Sequence, residues 1–409
     1  MTDLLTQLRD YGRQIESDPT LHAPTPKEAV LTVPRVTRRT SGSWVWGLVA
    51  AAIALFAFLP LILGRSVEEP AATTSPVTEI ENGWVAFAAD DAPVGDLDIF
   101  AVSPEVDPVR LIGSQGDGLD QSCPMFSPDG SKLAYLESDH TGLAPGEIGG
   151  SAWIVVVGLD GAAVSGELLR ESATWRVCPS WSPDGNQIAY VSGRWELTIG
   201  TVGSVSTPLY SIDDGHTGID WSPDGEVIAV WGFVDHSAPT TAIWLVPVDG
   251  SETKMLVTLS QPMPELVGNG EYMDWSPDSS KLGVLGEGIH LLGLDGTTDL
   301  IEGEHLPSIS WSPFADLLAV TKNNGVTLLS PDNSDEQNLT IDYPGEDLIN
   351  ATFDSWSPDG LSVLVRVTGA ETSAIVSVPL DSDEPETVMY QWPNGTLGPE
   401  GINWQRLND

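Results

Sequence analysis

A five-residue phrase, Trp-Ser-Pro-Asp-Gly, recurs with small changes along most of this chain and constrains its fold more than any other feature. Successive copies start 55, 40, 54, 36 and 45 residues apart. Repeats of about 40–50 residues, with strands on both sides of a turn, are typical of β-propeller blades. We therefore predict an all-β propeller. The six copies begin at Phe126, Trp181, Trp221, Trp275, Trp311 and Trp356.

Each residue of the phrase suits a structural task. The aromatic side chain buries a large apolar area between blades, and proline sets φ for the turn. Aspartate accepts backbone hydrogen bonds, and glycine adopts the left-handed conformation. We interpret the repeated aspartates as parts of turns rather than as a catalytic array. The copy Ser312-Pro313-Phe314-Ala315 lacks both Asp and Gly, which predicts a turn of different shape.

The number of apolar strands that follow the aromatic strands sets the number of blades. The first of them, Trp84–Phe87, has no aromatic strand before it, whereas Gly401–Leu407 at the chain end has no strand after it. Pairing these two segments would close the ring and remove its open edges. We predict seven blades, with six as the alternative if residues 302–350 form a loop. The seven apolar strands lie around Val85, Leu133, Ile188, Ile228, Leu282, Leu318 and Val363.

These units resemble the WD40-like (PD40) repeats of the TolB-type propeller family, whose hallmark is the same turn followed by an Ile-Ala-Phe-like strand. The resemblance covers about residues 80–409, and five of the six copies keep Ser-Pro-Asp. It implies a propeller that binds proteins or ligands, often outside the cytoplasm. TolB itself has six blades and a separate N-terminal α/β domain, where this chain has an apolar segment. The resemblance therefore does not imply the particular role of TolB.

The N-terminal residues differ in composition from the repeats. Residues 44–64 are 21 uncharged and mostly apolar residues, enough for a helix to cross a hydrocarbon core of ~30 Å. Arginines precede this segment at positions 35, 38 and 39, which predicts a cytoplasmic N-terminus and an extracytoplasmic propeller on the cell membrane. A cleaved signal peptide is the alternative.

The predicted organisation follows from that segment. Residues 1–43 form a cytoplasmic tail, 65–80 a linker rich in Pro, Thr and Ala, and 81–409 the propeller. Within the tail, residues 2–17 place Leu4, Leu8, Tyr11 and Ile15 on one stripe, which predicts a short amphipathic helix. Such a helix would bind a cytoplasmic regulator or lie unpartnered against the membrane.

The charge is strongly negative, with 59 Asp+Glu against 17 Lys+Arg and a net charge of −42. A surface of this kind repels phosphate backbones, which argues against nucleic acid as a partner. Acidic residues recur in the segments that lead into the aromatic strands. They are Asp117, Asp120, Glu171, Asp213, Asp214, Glu271, Glu302, Glu304, Glu346 and Asp347, with His216 among them.

Two further aspartates, Asp220 and Asp274, stand directly before their tryptophans. Together with the acidic segments they would form a ring of carboxylates at one mouth of the propeller, and hard oxygen ligands suit Ca²⁺. Asp214, Asp220 and Asp274 are the candidate metal ligands. The competing interpretation is that a domain this acidic has acidic loops everywhere, and on that interpretation no cofactor is needed.

The two cysteines, Cys123 and Cys178, each stand three residues before the aromatic residue of consecutive blades. Outside the membrane a disulfide between them is chemically permitted. Equivalent positions on neighbouring blades lie near or beyond the Cα separation of about 7 Å that a disulfide can span. A disulfide and two buried thiols therefore stay open as alternatives.

Motifs of enzymes are missing from the sequence: it contains no Gly-x-Ser-x-Gly elbow, no Walker-type loop and no His-x-x-x-His pair. We therefore predict a membrane-anchored, non-enzymatic propeller that binds a protein or ligand outside the membrane. The first alternative is a transmembrane signalling protein of the anti-sigma kind, with the propeller as sensor and residues 1–17 bound to a cytoplasmic regulator. The second is a Ca²⁺-dependent, lactonase-like enzyme.

Overall fold

The computed structural model describes residues 81–90, 97–104, 106–113, 118–139, 150–160, 163–174, 177–211, 216–235, 240–259, 272–286, 288–301, 308–332, 334–341, 347–381, 386–393 and 399–407. The predicted tail (1–43), membrane segment (44–64) and linker (65–80) lie outside these residues. In the part of the chain that is described, no helix has the length and apolar character needed to span a membrane.

The described residues form seven antiparallel sheets of four strands each, and each sheet is one blade. Blade 1 contains β1 (Glu81–Asp90), β2 (Leu97–Ser103) and β3 (Val106–Ile112). Blade 2 contains β4 (Leu119–Phe126), β5 (Lys132–Asp139), β6 (Ser151–Asp160) and β7 (Ala163–Ser172). Blade 3 contains β8 (Ser180–Trp181), β9 (Gln187–Val191), β10 (Glu196–Thr201) and β11 (Thr207–Ser211).

The remaining blades follow in chain order. Blade 4 contains β12 (His216–Trp221), β13 (Val227–Asp235), β14 (Thr240–Pro247) and β15 (Lys254–Leu259). Blade 5 contains β16 (Met273–Trp275), β17 (Lys281–Gly286), β18 (Gly288–Gly293) and β19 (Thr298–Ile301). Blade 6 contains β20 (Ile309–Trp311), β21 (Leu318–Lys322), β22 (Gly325–Leu329) and β23 (Glu336–Asn338). Blade 7 contains β24 (Asn350–Trp356), β25 (Ser362–Thr368), β26 (Thr372–Pro379) and β27 (Thr387–Pro393).

The ring closes through the last strand, β28 (Glu400–Leu407), which pairs antiparallel with β1 and becomes the innermost strand of blade 1. Trp404 lies opposite Val85 in this pairing. The prediction that the C-terminal aromatic strand completes the first blade is confirmed, and so are the seven blades. The six-bladed alternative is wrong, because residues 302–350 contain the four strands of blade 6.

Successive blades contact each other through their innermost strands, and the aromatic residue of the phrase lies in that contact. The six tryptophans and Phe126 at these positions are only 3–9% exposed. Three indole N–H groups donate to the backbone oxygen of the residue before the preceding aromatic: Trp181 to Met125 at 3.1 Å, Trp275 to Asp220 at 3.2 Å and Trp356 to Ser310 at 3.3 Å. The aromatic residues therefore join neighbouring blades by hydrogen bonds as well as by burial.

The turn after each aromatic strand has one repeated geometry. In the five copies that keep Ser-Pro-Asp, the serine hydroxyl donates to the aspartate two residues on, at 2.5–2.8 Å. The same hydroxyl oxygen accepts the backbone N–H five residues on, at 2.9–3.1 Å. The fifth residue of each copy has a φ between 58° and 77°, which favours glycine. The structural role predicted for the phrase is thus confirmed.

The copy at Ser312 departs from this geometry, as its sequence predicts. No aspartate meets the hydroxyl, which instead accepts the Ala315 N–H at 3.2 Å. A further copy of the same turn lies in this blade between β22 and β23, where the Ser330 hydroxyl donates to Asp332 at 2.9 Å and accepts the Asp335 N–H at 2.9 Å. This turn is not evident from the repeated phrase, because no aromatic residue precedes Ser330.

All of the aromatic-strand turns lie at one end of the ring, which we call the turn end; the connections between blades lie at the other, the loop end. At the turn end the glycine of one turn packs on the proline of the preceding blade's turn. A Cβ at Gly185 would lie 3.5 Å from Pro128, and one at Gly225 would lie 3.4 Å from Pro183. Turns of neighbouring blades therefore contact each other, and we call the aromatic-strand turns together the collar.

The two kinds of turn allow a matched test. Replacing Ser182 by alanine leaves the Asp184 carboxylate and the half-buried backbone N–H of Gln187 without their shared partner, because this hydroxyl binds both. We expect a loss of about 1–3 kcal/mol in the free energy of unfolding, measured by urea denaturation. Ser312→Ala is the control and should cause a smaller loss, since its hydroxyl only accepts N–H groups at 3.2 and 3.5 Å. Equal losses would refute the role assigned to the serine.

Candidate functional site

The residue directly before each aromatic lies at the centre of the ring, on the innermost strand of its blade. We call these seven residues the inner-edge residues, and six of them are polar. In the order of the blades from 1 to 7 they are Asn403, Met125, Ser180, Asp220, Asp274, Ser310 and Ser355.

Several inner-edge side chains join one blade to the next. The Asn403 Oδ1 atom accepts the backbone N–H of Phe126 at 2.9 Å, and the Ser180 hydroxyl accepts that of Trp221 at 3.0 Å. Asp274 Oδ2 accepts the N–H of Trp311 at 2.6 Å. An amide, a hydroxyl and a carboxyl group thus perform the same structural task at equivalent positions.

Two acidic residues occupy adjacent positions in this ring. The Ser180 hydroxyl donates to Asp220 Oδ1 at 3.3 Å, and the Ser310 hydroxyl donates to Asp274 Oδ2 at 2.7 Å. Burial raises the pKa of Asp220 well above its ordinary value, and the neighbouring charge of Asp274 raises it further. Burial raises the pKa of Asp274 to about 6, against the lowering effect of its hydrogen bonds with Ser310 and Trp311. Because a carboxyl group so placed tends to stay neutral, this pair is the most unusual electrostatic feature of the described residues.

Three other acids in the described part of the chain, with side chains no more than 10% exposed, each have an arginine beside them. Asp98 lies 3.1 Å from Arg110, and Asp354 lies 2.6 Å from Arg366. Glu137 forms an ion pair with Arg170. Among the described residues, neither Asp220 nor Asp274 forms an ion pair with a lysine or arginine.

Of the three predicted metal ligands, the structure describes two, Asp220 and Asp274. Asp220 is the fifth residue of β12, and at about 3.3 Å per residue it lies near the turn end. Two described acids of the prediction lie toward the other end, because Asp120 is near the start of the inner strand β4 and Asp347 precedes β24. Asp214 lies outside the described residues, and so do Asp117, Asp213, Glu271, Glu302, Glu304 and Glu346. Where the chain is described, no group of three or more His, Cys, Asp or Glu side chains is arranged to hold a metal ion.

Two of the predicted acidic residues have structural partners. Glu171 accepts the Tyr190 hydroxyl at 2.8 Å and the Ser206 hydroxyl at 2.6 Å, which joins blade 2 to blade 3. Asp120 accepts the Leu97 N–H at 3.0 Å, which joins blade 2 to blade 1. His216 begins β12, and Asp347 is exposed just before β24. The acidic segments thus include residues that stabilise the ring as well as exposed ones.

The two cysteines lie on neighbouring blades and are joined by a disulfide. Cys123 belongs to β4 and is 5% exposed, and Cys178 lies two residues before β8. Their sulfur atoms are 1.94 Å apart and their Cα atoms 5.6 Å apart, within the span that a disulfide allows. Since β8 has only two residues, the disulfide supplements the short inner strand of blade 3.

This disulfide gives a second prediction. The two cysteines are 55 residues apart in sequence, and a cross-link of that span stabilises a fold by about 2–4 kcal/mol. We expect a reducing agent to lower the thermal midpoint of the wild-type protein, as followed by circular dichroism. The Cys123→Ser/Cys178→Ser variant should start from the lower midpoint and show no response to the reductant. An equal response of both proteins would show that the reductant acts elsewhere.

Comparison with known proteins gives similarity at the level of the fold. No protein-family model and no curated protein matches the sequence. Among solved structures, a protein from Lactobacillus plantarum is similar with a TM-score of 0.51 at 13% identity, over 80% of this chain and 100% of that one. TolB from Acinetobacter baumannii is similar with a TM-score of 0.43 at 12% identity, over 80% of this chain and 82% of that one.

A puromycin-hydrolyzing peptidase from Mycobacterium tuberculosis is also similar, with a TM-score of 0.48 at 17% identity. That match covers 69% of this chain and 49% of the peptidase. Identities this low concern the fold alone, and proteins of one fold differ widely in function. The comparisons therefore assign no activity to this chain.

Proposed function

We propose that this protein is a single-pass membrane protein that presents its propeller outside the cell membrane as a binding module for a protein or peptide. The observation that carries the location is the disulfide between Cys123 and Cys178. Disulfides persist in oxidising compartments and are rare in the cytoplasm. The apolar segment at residues 44–64, with arginines before it, supports a membrane anchor and a cytoplasmic N-terminus.

The polar side chains at the centre of the ring support binding rather than catalysis, because they take part in structural hydrogen bonds. The hydroxyl and carboxyl groups of Ser180, Asp274 and Ser310 already form hydrogen bonds that join the blades. The collar occupies the turn end with repeated internal contacts. The loop end is the surface that differs from blade to blade, and binding residues are commonly found on such connections.

The charge and the exposed apolar residues of the loop end indicate the kind of partner. Leu348 is 37% exposed and Ile349 is 58% exposed, next to the exposed Asp347 at the start of β24. A chain with a net charge of −42 attracts basic partners. We therefore propose a basic protein or peptide segment that inserts an apolar side chain beside blade 7.

The location is tested by fractionation and labelling of cells that express the full chain. We expect the protein to stay with membranes after carbonate extraction, and we expect external protease to reach the propeller. Deletion of residues 44–64 should release the chain from the membrane fraction. A full-length chain in the soluble cytoplasmic fraction, with both cysteines reactive to maleimide, would overturn the proposed location.

The binding surface is tested with a pair of matched variants. Chemical cross-linking of intact cells should trap a partner on the wild-type chain, and Leu348→Ser/Ile349→Ser should reduce the yield at least about tenfold if these residues are a hot spot. The control is Leu361→Ser, because Leu361 is 46% exposed at the turn end. An equal reduction by both variants, with both proteins folded, would refute the loop end as the binding surface.

A transmembrane signalling protein is the second candidate, and the stripe of Leu4, Leu8, Tyr11 and Ile15 favours it. In this function the propeller would sense a ligand outside the membrane while residues 1–17 bind a regulator inside. A module that acts only outside the membrane needs no such cytoplasmic partner, which distinguishes the two functions.

A further inference from the structure

We propose that a cleft on the side of blade 5 that faces blade 6 binds a small zwitterion about the length of a dipeptide, with its carboxylate on Lys281 and its ammonium group on Asp299. The cleft has a volume of about 380 Å³, and small-molecule sites typically measure about 300–1,000 Å³. It lies at the turn end, since Lys281 begins β17 directly after the aromatic-strand turn. This inference does not depend on the proposed function, which concerns the loop end.

The register of blade 5 places the two charged groups on one face of the sheet. Asp299 of β19 pairs with Leu291 of β18, and Lys281 of β17 pairs with the residue two positions after Leu291. Paired residues share a face, and so do residues two apart along a strand. A Cβ at Gly283, two residues from Lys281, would lie 2.9 Å from Ile309 of β20. This face of blade 5 therefore points at blade 6.

The collar is irregular next to this cleft. Blade 6 contains the copy of the phrase with Phe314 and Ala315 in place of Asp and Gly. Its turn has another hydrogen bond, from the Leu317 N–H to the Ala315 carbonyl at 2.8 Å. Burial raises the pKa of Asp316 in this turn, and the charge of Lys281 acts in the opposite direction. The irregular turn of blade 6 thus lies close to the lysine of the cleft.

Lys281 differs from the other half-buried lysines in the described part of the chain. Lys132 pairs with Asp129, and Lys322 pairs with Glu336. Lys281 is half-buried too, yet it forms no ion pair with any described residue. An ammonium group in this position has lost part of its hydration without gaining an anionic partner. A ligand with a carboxylate would supply that partner.

The charge of the protein indicates which carboxylate ligand fits. A free anion would be repelled by a chain with a net charge of −42. Asp295 and Asp299 also line the cleft, and they would repel a second negative group. A zwitterion has no net charge, and its ammonium group can bind one of these acids. Asp299 is exposed and has no ion pair among the described residues, whereas Asp295 already accepts the Thr297 N–H at 3.0 Å and its hydroxyl at 2.7 Å.

The distance between the two charged groups sets the length of the ligand. Lys281 and Asp299 lie two strands apart in the sheet, so their backbones are at least about 10 Å apart. The two side chains cover part of that distance, and two residues of extended chain span at most about 7 Å. Leu291 and Leu294 line the same cleft and offer contact to an apolar side chain. A dipeptide with apolar side chains should therefore bind better than a single amino acid.

The test is isothermal titration calorimetry of the full chain with leucyl-leucine as the probe. We expect saturable binding at millimolar concentrations. The N-acetylated and the C-amidated dipeptide should each bind at least about tenfold more weakly, because each lacks one charge-assisted hydrogen bond. Free leucine should also bind more weakly than the dipeptide. The proposal would be overturned if the folded wild type did not bind leucyl-leucine, or if either blocked dipeptide bound equally well.

Matched variants locate the binding. Lys281→Gln removes the charge and keeps a polar side chain, and it should weaken the binding of leucyl-leucine at least about tenfold. The control is Lys322→Gln, at the loop-end terminus of β21, which should bind like the wild type. Asp299→Asn changes an exposed residue, so it serves as the second variant if Lys281→Gln does not fold, and it should weaken binding similarly. Unchanged binding by Lys281→Gln or Asp299→Asn, or an equal loss in all three variants, would refute the site.

Discussion

Closure of the ring by β28 is the constraint on which the rest of the structure depends. A blade buries its aromatic residue only against a neighbouring blade, so an open ring would leave two apolar faces and an unpaired strand exposed. Pairing of Trp404 with Val85 removes both, because it supplies blade 1 with its innermost strand. Gln405 strengthens the closure: its side chain donates to the Gly130 carbonyl at 2.7 Å and accepts the Trp84 N–H at 3.2 Å. The closed ring in turn fixes the spacing of the inner-edge residues.

The fold could be predicted from the sequence because its signals are local and repeated. The Ser-Pro-Asp-Gly turn depends on contacts within about five residues, and its copies count the blades. The extra turn at Ser330 was missed since it joins two outer strands and lacks the aromatic marker. The disulfide could not be predicted from local patterns, because the Cα separation of 5.6 Å between the two cysteines depends on the packing of two blades. Burial raises the pKa of Asp220 first, and the charge of Asp274, 54 residues away in sequence, raises it further; both depend on the packing of the blades.

The aspartates of this protein fall into two groups, one with lowered pKa values in the turns and one with raised pKa values at the centre of the ring. In the turn at Asp184, burial would raise the pKa, but the hydrogen bonds with Ser182 and Asn186 outweigh it and lower the pKa. Such groups stabilise the fold above their unfolded pKa, and that contribution is lost as the pH falls through the folded pKa. Asp220 and Asp274 contribute in the reverse sense and weaken the fold as the pH rises. The net pH dependence of stability is therefore a balance between the collar and the centre of the ring.

The division between a fixed centre and a variable loop end indicates where functional residues lie in the chain. The collar and the disulfide hold the inner strands in place, and they leave the loop end free to vary without loss of the fold. Residues that reduce stability yet sit in a well-fixed frame are found more often at functional sites than elsewhere. Asp220 and Asp274 fit that description, whereas Leu348 and Ile349 lie exposed at the loop end.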